Sequence, residues 1–439
     1  MAVMEVKAFK AFRFNEQVVS DVGACIAPPY DVISDEQREH FYNKSEYNIV
    51  RIIKGRTEPS DKDNNNQYTR AAKYLNEWIK GGVLKQDSTE SIYGYIQDFE
   101  VGSNKFQRYS FIALAKLEDF GQMVRPHEEI LNGPIVDRLN LKRATEAKFG
   151  LVFMLYEDQQ NTAERIVEEA SERESLVDFV DEQGVRHRLY AITRQPDIEA
   201  IVEMMRDKKC TIADGHHRYT TGLTYSKESS LASAAYQMLA FCNTRHEGLL
   251  VLATHRLVNN VEGFNLSRLI TGLQEKFEVR KYEFDSSGSK SQAKDSALSQ
   301  MKAEQQQGKN AFVLYGGDGA FYLCVLKDSR AMNAAAQGKS NAWKSLDVAV
   351  LHKLVFEELL GIDEKKLASQ SNIEYVKDTI TAIDDSIMRV DKGEKQVAFL
   401  MNPPKLEQIQ QVADAGERMP QKSTYFYPKI HTGLTINKL

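Results

Sequence analysis

Two adjacent histidines, an aspartate, a glycine and an arginine stand together in ADGHHRYTTGL, residues 213–223. An apolar run leads into them and a helical pattern leads out. The spacing predicts a strand ending at Ala213 and a helix starting near Arg218, with the polar residues at the turn. Free amides at a helix start, backed by the positive end of the helix dipole, are a ready place for an anion, above all phosphate. Gly215 allows a positive φ or the close approach of a ligand. His216, His217 and Arg218 add donors around phosphate oxygens, Arg218 as a bidentate fork. Asp214 does not belong in a purely anion-binding site. Its carboxylate suits a magnesium ligand, a general base or an N-cap. Zinc fits less well, because helical zinc ligands fall at i and i+4 whereas neighbours at a turn diverge. The plainer alternative is a capping Asp214 beside ordinary surface or core histidines.

Three further stretches carry residues of the same kind. In RPHEEILNGPIVDRLNLKRAT, His127, Glu128 and Glu129 lie in a loop before Pro134, and Asp137, Arg138, Lys142 and Arg143 follow at helical spacing. Loop residues His127 and Glu128 are the chemical candidates there. The charged helix reads equally as a solvated face in which Asp137 pairs three or four positions on. In MPQKSTYFYPKIHTGL, Lys422, Ser423 and Thr424 resemble the end of a P-loop, but Gln421 stands where GxxxxGK[ST] needs glycine, so that motif is rejected. A lysine beside two hydroxyls can still touch phosphate, while Tyr425, Phe426 and Tyr427 read as packing. In APPYDVIS, Asp31 follows a rigid Pro-Pro corner, which suits either a turn cap or a catalytic carboxylate.

The elements that position these groups are those of a mixed chain. At 439 residues it exceeds the usual single domain, and the expectation is more than one structural unit. Composition is 42% hydrophobic and 27% charged, with no apolar run long enough to span a bilayer, so a membrane protein is not expected. The amino terminus lacks a secretory pattern, which makes cytoplasm the default. Cys25, Cys210, Cys242 and Cys324 form no CxxC pair and read as reduced core residues. A net charge of −5 gives no support to nucleic-acid binding.

Ser34 before DEQREHFY fits an N-cap, NIVRII a short strand, and QYTRAAKYLNEWIK a helix stopped by Gly81 and Gly82. A β-rich stretch turns at VGSN, GLVFMLY reads as a buried strand, and LVDFVDEQGVRHRLYAIT as a hairpin. PDIEAIVEMMRD is helical and KCTIAD is a strand. LASAAYQMLAFC reads as helix and GLLVLATHRLV as strand. Residues 285–310 are polar and read as a surface helix with a mobile entry or as a connecting segment. Without strict βαβ alternation the fold class is α+β, mixed sheets with flanking helices.

APPYDVIS, HEEILNGPIVDRLNLKRAT, ADGHHRYTTGL, THRLV, AFLMNP and MPQKSTYFYPKIHTGL together, in that order, resemble the bacterial and archaeal family catalogued as domain of unknown function 1015. One departure is NGPIVDR, where the family pattern reads PGPKEDR. DGHHRY is similar to the signature of the ParB/sulfiredoxin superfamily, in which a helix start holds nucleotide phosphates, and the family is similar to that superfamily's free-serine kinases. The resemblance implies a ParB/sulfiredoxin-like nucleotide-binding core with large insertions. It places that core, with its inserted β-rich region, at 1–284, the polar connection at 285–310, and a C-terminal α/β region contributing to the site at 311–439.

The implied activity is transfer of the γ-phosphate of ATP to the hydroxyl of free L-serine, with Mg²⁺. ATP phosphates would lie over Gly215, His216, His217 and Arg218. Asp31 or Glu128 would take the serine proton, and Asp214 would hold metal or orient His216. Arg138, Lys422, Ser423 and Thr424 would clamp the transferring group, and His127 and Arg143 would bind substrate. The implied partner is L-serine or a similar hydroxy amino acid. Membrane and nucleic acid are not expected partners, and a homodimer is an open option. The rival readings are a ParB-like nucleotide switch associated with nucleic acid, and a metal-dependent phosphohydrolase using Asp214, His216, His217 and Glu128.

Overall fold

The computed structural model describes residues 3–128, 132–379 and 381–439. The chain divides into two compact units: Met1–Pro126, Ile130–Leu250 and Pro428–Leu439 form the first, and His127–Glu129 with Val251–Tyr427 the second. This division departs from the expected one. Residues 285–310 connect nothing: Ser287–Gln306 is a helix inside the second unit, opened by a capping box at Ser286. It buries Ala293, Ala297 and Met301 in that unit's core, so its polar composition belongs to a solvated outer face.

Unit 1 is built on a nine-stranded mixed sheet among the described residues. Its strands are β1 (Val6–Lys7), β2 (Ile92–Val101), β3 (Asn104–Lys116), β4 (Val124–Arg125), β5 (Val152–Tyr156), β6 (Val177–Val180), β7 (Arg186–Ile192), β8 (Cys210–Asp214) and β9 (Tyr236–Asn243). The order is β4-β8-β5-β9-β3-β2-β7-β6, with β1 added to β3. Pairing is parallel for β9 with β5 and β8 with β4, and antiparallel for β8 with β5 and β2 with β3. The helices used below are α1 (Asp35–Lys44), α2 (Gln67–Lys80), α3 (Asn132–Thr145), α4 (Thr162–Ser171), α5 (Gln195–Met205) and α6 (His216–Glu228).

Local chemistry explains most of these boundaries. The Ser34 hydroxyl accepts from the Gln37 amide and the Gln37 side chain returns to Ser34, closing the expected capping box of α1. α2 stops at Gly81 as predicted. α4 and α5 place Ala163, Val167, Ile198, Ile201 and Met205 against Ile92, Ile96, Met154 and Phe241 of the sheet. Each such aliphatic side chain contributes about 1.5–3 kcal/mol when fully buried.

Two expectations fail. NIVRII contains a one-turn helix, Val50–Ile53, rather than a strand. LASAAYQMLAFC gives a short 3₁₀ turn, Ala232–Ala235, and then β9. β9 lies between β5 and β3 and is buried at every residue but the first, so its apolar run shows neither helical nor alternating period.

Unit 2 is a six-stranded antiparallel sheet in the order Phe277–Glu283, Ala320–Leu326, Ala311–Tyr315, Val397–Met401, Thr254–Val258, Ile373–Lys377. The helices Ser287–Gln306 and Ala382–Asp391 both contribute to its core. All four cysteines are free and buried, as expected. No helix among the described residues is long and apolar enough to cross a membrane. The architecture is α+β, with a large mixed sheet and flanking helices.

Candidate functional site

β8 ends at Asp214 and α6 begins at His216, so the predicted strand-to-helix turn is present, two residues earlier on its helical side than expected. A register shift in the β8–β5 pairing between Ile212 and Asp214 re-aims the end of the strand. Gly215 is the N-cap, at φ +94°, with no side-chain cap. The position demands glycine twice over: the φ is left-handed, and a Cβ would meet Arg218 Nε at 2.9 Å. Gly215 has no side chain to cap this 13-residue helix, so the N-cap reading of Asp214 does not hold.

Asp214 points instead to two cations. Lys429 Nζ donates to its Oδ2 at 3.0 Å, and Arg218 Nη2 lies 3.5 Å from its Oδ1. Burial pushes the Asp214 carboxyl up, but Lys429 and Arg218 more than reverse this and hold it well below the usual range. This corrects the expected metal role. A magnesium ion on Asp214 would have to displace an ammonium already seated there, so the residues around it do not fit that ion. The Arg218 guanidinium donates to the Leu151 carbonyl and folds under Gly215, so it faces the cleft described below rather than forking outward from the turn. His216 is buried and His217 half-buried at the start of α6.

Asp31 sits on a 3₁₀ turn, Tyr30–Val32, and is exposed. The Arg138 guanidinium stacks 4.0 Å over the Tyr30 ring, and burial, with Asp31 beside it, raises the Tyr30 phenol to about 12. Arg138 donates to Ile53 O at 2.6 Å and to Asp137 Oδ2 at 2.8 Å. Asp137 therefore pairs with its chain neighbour, and with Tyr68 Oη at 2.9 Å, rather than three or four positions on. Arg143 faces the other way. It forms a half-exposed pair with Glu228 at 2.7 Å, a surface contact between α3 and α6, and does not line the cleft described below.

Arg138 and Arg218 both line a half-open cleft of unit 1 with a volume of about 70 Å³, which sequence reasoning missed. Lys142, Lys148, Thr221 and Gln237 share its wall, and no carboxylate among the described residues does. Lys142 donates to Gln237 Oε1 at 3.1 Å. Lys148 donates to Asn437 Oδ1 at 2.8 Å and to Ser233 O at 3.1 Å. Gly222 lets α6 lie against Gln237, whose Oε1 would be 2.9 Å from a Cβ there. The only available signal was the i, i+4 spacing of Arg138 and Lys142, which a solvated helix would share.

The other expected residues belong to unit 2. The loop and C-terminal clusters, nearly three hundred positions apart, meet there. His127 Nε2 lies 2.9 Å from Thr424 Oγ1, and the His127 carbonyl accepts from Met419 N at 2.7 Å. Glu128 Oε1 accepts from the Lys422 amide. Lys422 holds φ +56°, its carbonyl accepts from Arg256 at 3.1 Å, and Ser423 Oγ donates to the Pro420 carbonyl. Arg256, from THRLV, is buried, another participant that sequence reasoning left without a role. Glu129 lies outside the described residues.

One grouping of metal-ligand type occurs among the described residues, and it was not foreseen. Asp181 Oδ2 lies 3.0 Å from His187 Nε2 and 3.5 Å from His431 Nε2. The shorter contact is an ordinary hydrogen bond. Burial lowers the His187 imidazole, and the buried Arg108 cation lowers it further, a field that opposes a second cation.

A family model described as a protein of unknown function, DUF1015, matches residues 6–349, and the chain belongs to that family. No curated protein matches it. Among solved structures, a free serine kinase in complex with AMP is 14% identical, with a TM-score of 0.34, over 69% of this chain and 83% of that one. A conserved hypothetical protein from Pyrococcus furiosus is 14% identical, with a TM-score of 0.34, over 72% and 91%. SbnI from Staphylococcus aureus, with a C-terminal truncation, is 10% identical, with a TM-score of 0.32, over 73% and 84%. At such identities and TM-scores these likenesses carry no statement about this chain's chemistry.

Proposed function

We propose that this chain is a kinase that transfers the γ-phosphate of ATP to the hydroxyl of a small hydroxy amino acid, L-serine being the reference acceptor. The observation that carries the reading is the turn Asp214–Gly215–His216, where a left-handed glycine ends a strand and opens a 13-residue helix, so that the helix start meets two histidines and a largely buried carboxylate. Such a helix start binds phosphate oxygens through its N–H groups and dipole. The motif resemblance to free-serine kinases supplies the nucleotide and the acceptor.

In this reading Asp214 is a positioning residue. Tied to Lys429 and Arg218, it fixes the end of β8 and hence the direction of the amides. Asp31 is the base of choice, because it is exposed and has no ion-pair partner among the described residues, whereas Glu128 already accepts from the Lys422 amide. The acceptor oxygen attacks the γ-phosphorus, the bond to the ADP oxygen breaks, and the acceptor proton passes to the Asp31 carboxylate. Magnesium, when bound with ATP, neutralises phosphate charge; no step here is assigned to a protein ligand for it.

Purified protein with ATP, Mg²⁺ and a panel of amino acids tests the reading. Acceptor-dependent ADP formation with a phosphomonoester product is expected. ATP left unconsumed with every hydroxy amino acid removes it.

A further inference from the structure

Lys142 and Lys148 are 6% and 3% exposed, and neither has a carboxylate partner among the described residues. Burying an ammonium without a counter-charge costs several kcal/mol, so two on the wall of one cleft need an explanation. Both keep partial hydrogen bonding, Lys142 through Gln237 and Lys148 through Asn437 and Ser233, so both are held in place rather than collapsed outward. Two more donors on the same wall, Thr221 Oγ1 and Arg218 Nη2, are buried without a hydrogen-bond partner among the described residues, Arg218 Nη2 keeping only its 3.5 Å ion pair with Asp214. The other charged group on the wall, Arg138, is matched by Asp137, and Arg218 shares Asp214 with Lys429. The two lysines are the uncompensated excess.

We propose that this cleft is a binding site for a phosphate group, held by the ammoniums of Lys142 and Lys148 with the Thr221 hydroxyl and the Arg218 guanidinium. The cleft is half-open, and its volume of about 70 Å³ has room for one oxyanion head group. Donors arrive from α3, from α6 and from the Ala147–Lys148 strand, an arrangement that surrounds a tetrahedral anion rather than forking onto a planar one. The choice of phosphate over other oxyanions rests on the phosphoryl-transfer reading; the oxyanion site does not.

The charge state supports the same conclusion. Burial lowers Lys142 to about 8, and burial with Lys142 and Lys7 nearby lowers Lys148 to about 6. An arriving dianion restores both protons, so binding draws protons from solution near neutral pH and weakens as the pH rises.

The full chain is titrated with inorganic phosphate by calorimetry, in two buffers of different ionisation heat, beside Lys142→Met and Lys148→Met. Saturable binding with net proton uptake is expected, weakened roughly ten- to a hundredfold in each variant. Both variants should melt no lower than the parent in phosphate-free buffer, since each replaces a buried lysine, charged or forced neutral by burial, with an apolar side chain. AMP and O-phosphoserine are then added to the phosphate complex. Displacement by AMP assigns the cleft to a nucleotide phosphate. Displacement by O-phosphoserine with AMP bound alongside assigns it to the phosphorylated acceptor, and displacement by neither to free phosphate. No saturable binding of any of the three, or unchanged affinity in both variants, overturns the site. Lysine-dependent phosphate binding without kinase turnover would sink the kinase reading and leave the site. Turnover that ignores both substitutions would do the reverse.

Discussion

Asp214 and Lys429, 215 positions apart, form a 3.0 Å ion pair that joins the DGHHRY turn to the YPK stretch within unit 1. Their side chains are 18% and 14% exposed, so the pair is largely shielded from water and salt. Lys429→Met leaves Asp214 with Arg218 alone, at 3.5 Å. A loss of roughly 2–4 kcal/mol in urea unfolding is expected, much of it recovered in the double variant with Asp214→Asn. Equal stability of Lys429→Met and the parent would remove the pair from the structural argument.

The same carboxylate sets an acid limit. Its folded-state value lies below that of the unfolded chain, near 3.9. The stabilisation is complete above that unfolded value and is lost as the pH falls through the folded one. Asp214→Asn should therefore be less stable than the parent at pH 7, and the gap between the two melting curves should start to narrow below about pH 4 and keep narrowing as the acid strengthens. A gap that stays constant in acid contradicts the assignment.

Gly215→Ala forces a side chain into a backbone at φ +94° and against Arg218. The strain is about 1–2 kcal/mol, small enough for the fold to survive. ATP affinity should fall at least tenfold while far-ultraviolet circular dichroism stays the same. Undiminished affinity would mean that phosphates do not lie on this turn.

Asp31 is exposed and makes no ion pair among the described residues, so its removal should spare stability. Under the kinase reading Asp31→Asn lowers kcat by roughly 10²- to 10⁴-fold with little change in the KM for ATP. A kcat for Asp31→Asn equal to the parent's would remove Asp31 from the mechanism.

Lys148 makes a prediction independent of any ligand. Its folded value, about 6, lies below the unfolded lysine value of about 10.4. Between them the unfolded chain binds more protons, so stability rises with pH through that window and is flat below it. Thermal melts in phosphate-free buffer from pH 6 to 9 should show this rise, and Lys148→Met should flatten it.

How far residues alone reach depends on what each one needs. The Ser34 cap, the Gly81 stop and the Gly215 turn were legible because each is decided within a few residues of chain. β9 was read as helix because both its faces are covered, which erases the period that separates the two states. The partners of Asp214 were illegible for a different reason. Nothing local distinguishes a carboxylate awaiting a metal from one awaiting Lys429. Arg143 and Lys142 are adjacent in sequence, yet one lies on the surface with Glu228 and the other on the cleft wall, a difference set by where α6 packs.

Residues 428–439 carry a consequence for biogenesis. They supply Lys429 to Asp214 and Asn437 to Lys148, and they pair Asn437–Lys438 with the strand Ala147–Lys148. A ribosome makes them only after all of unit 2, so unit 1 cannot be complete while the chain is still being elongated through unit 2. A nascent product lacking them would have Asp214 without its lysine and Lys148 without Asn437.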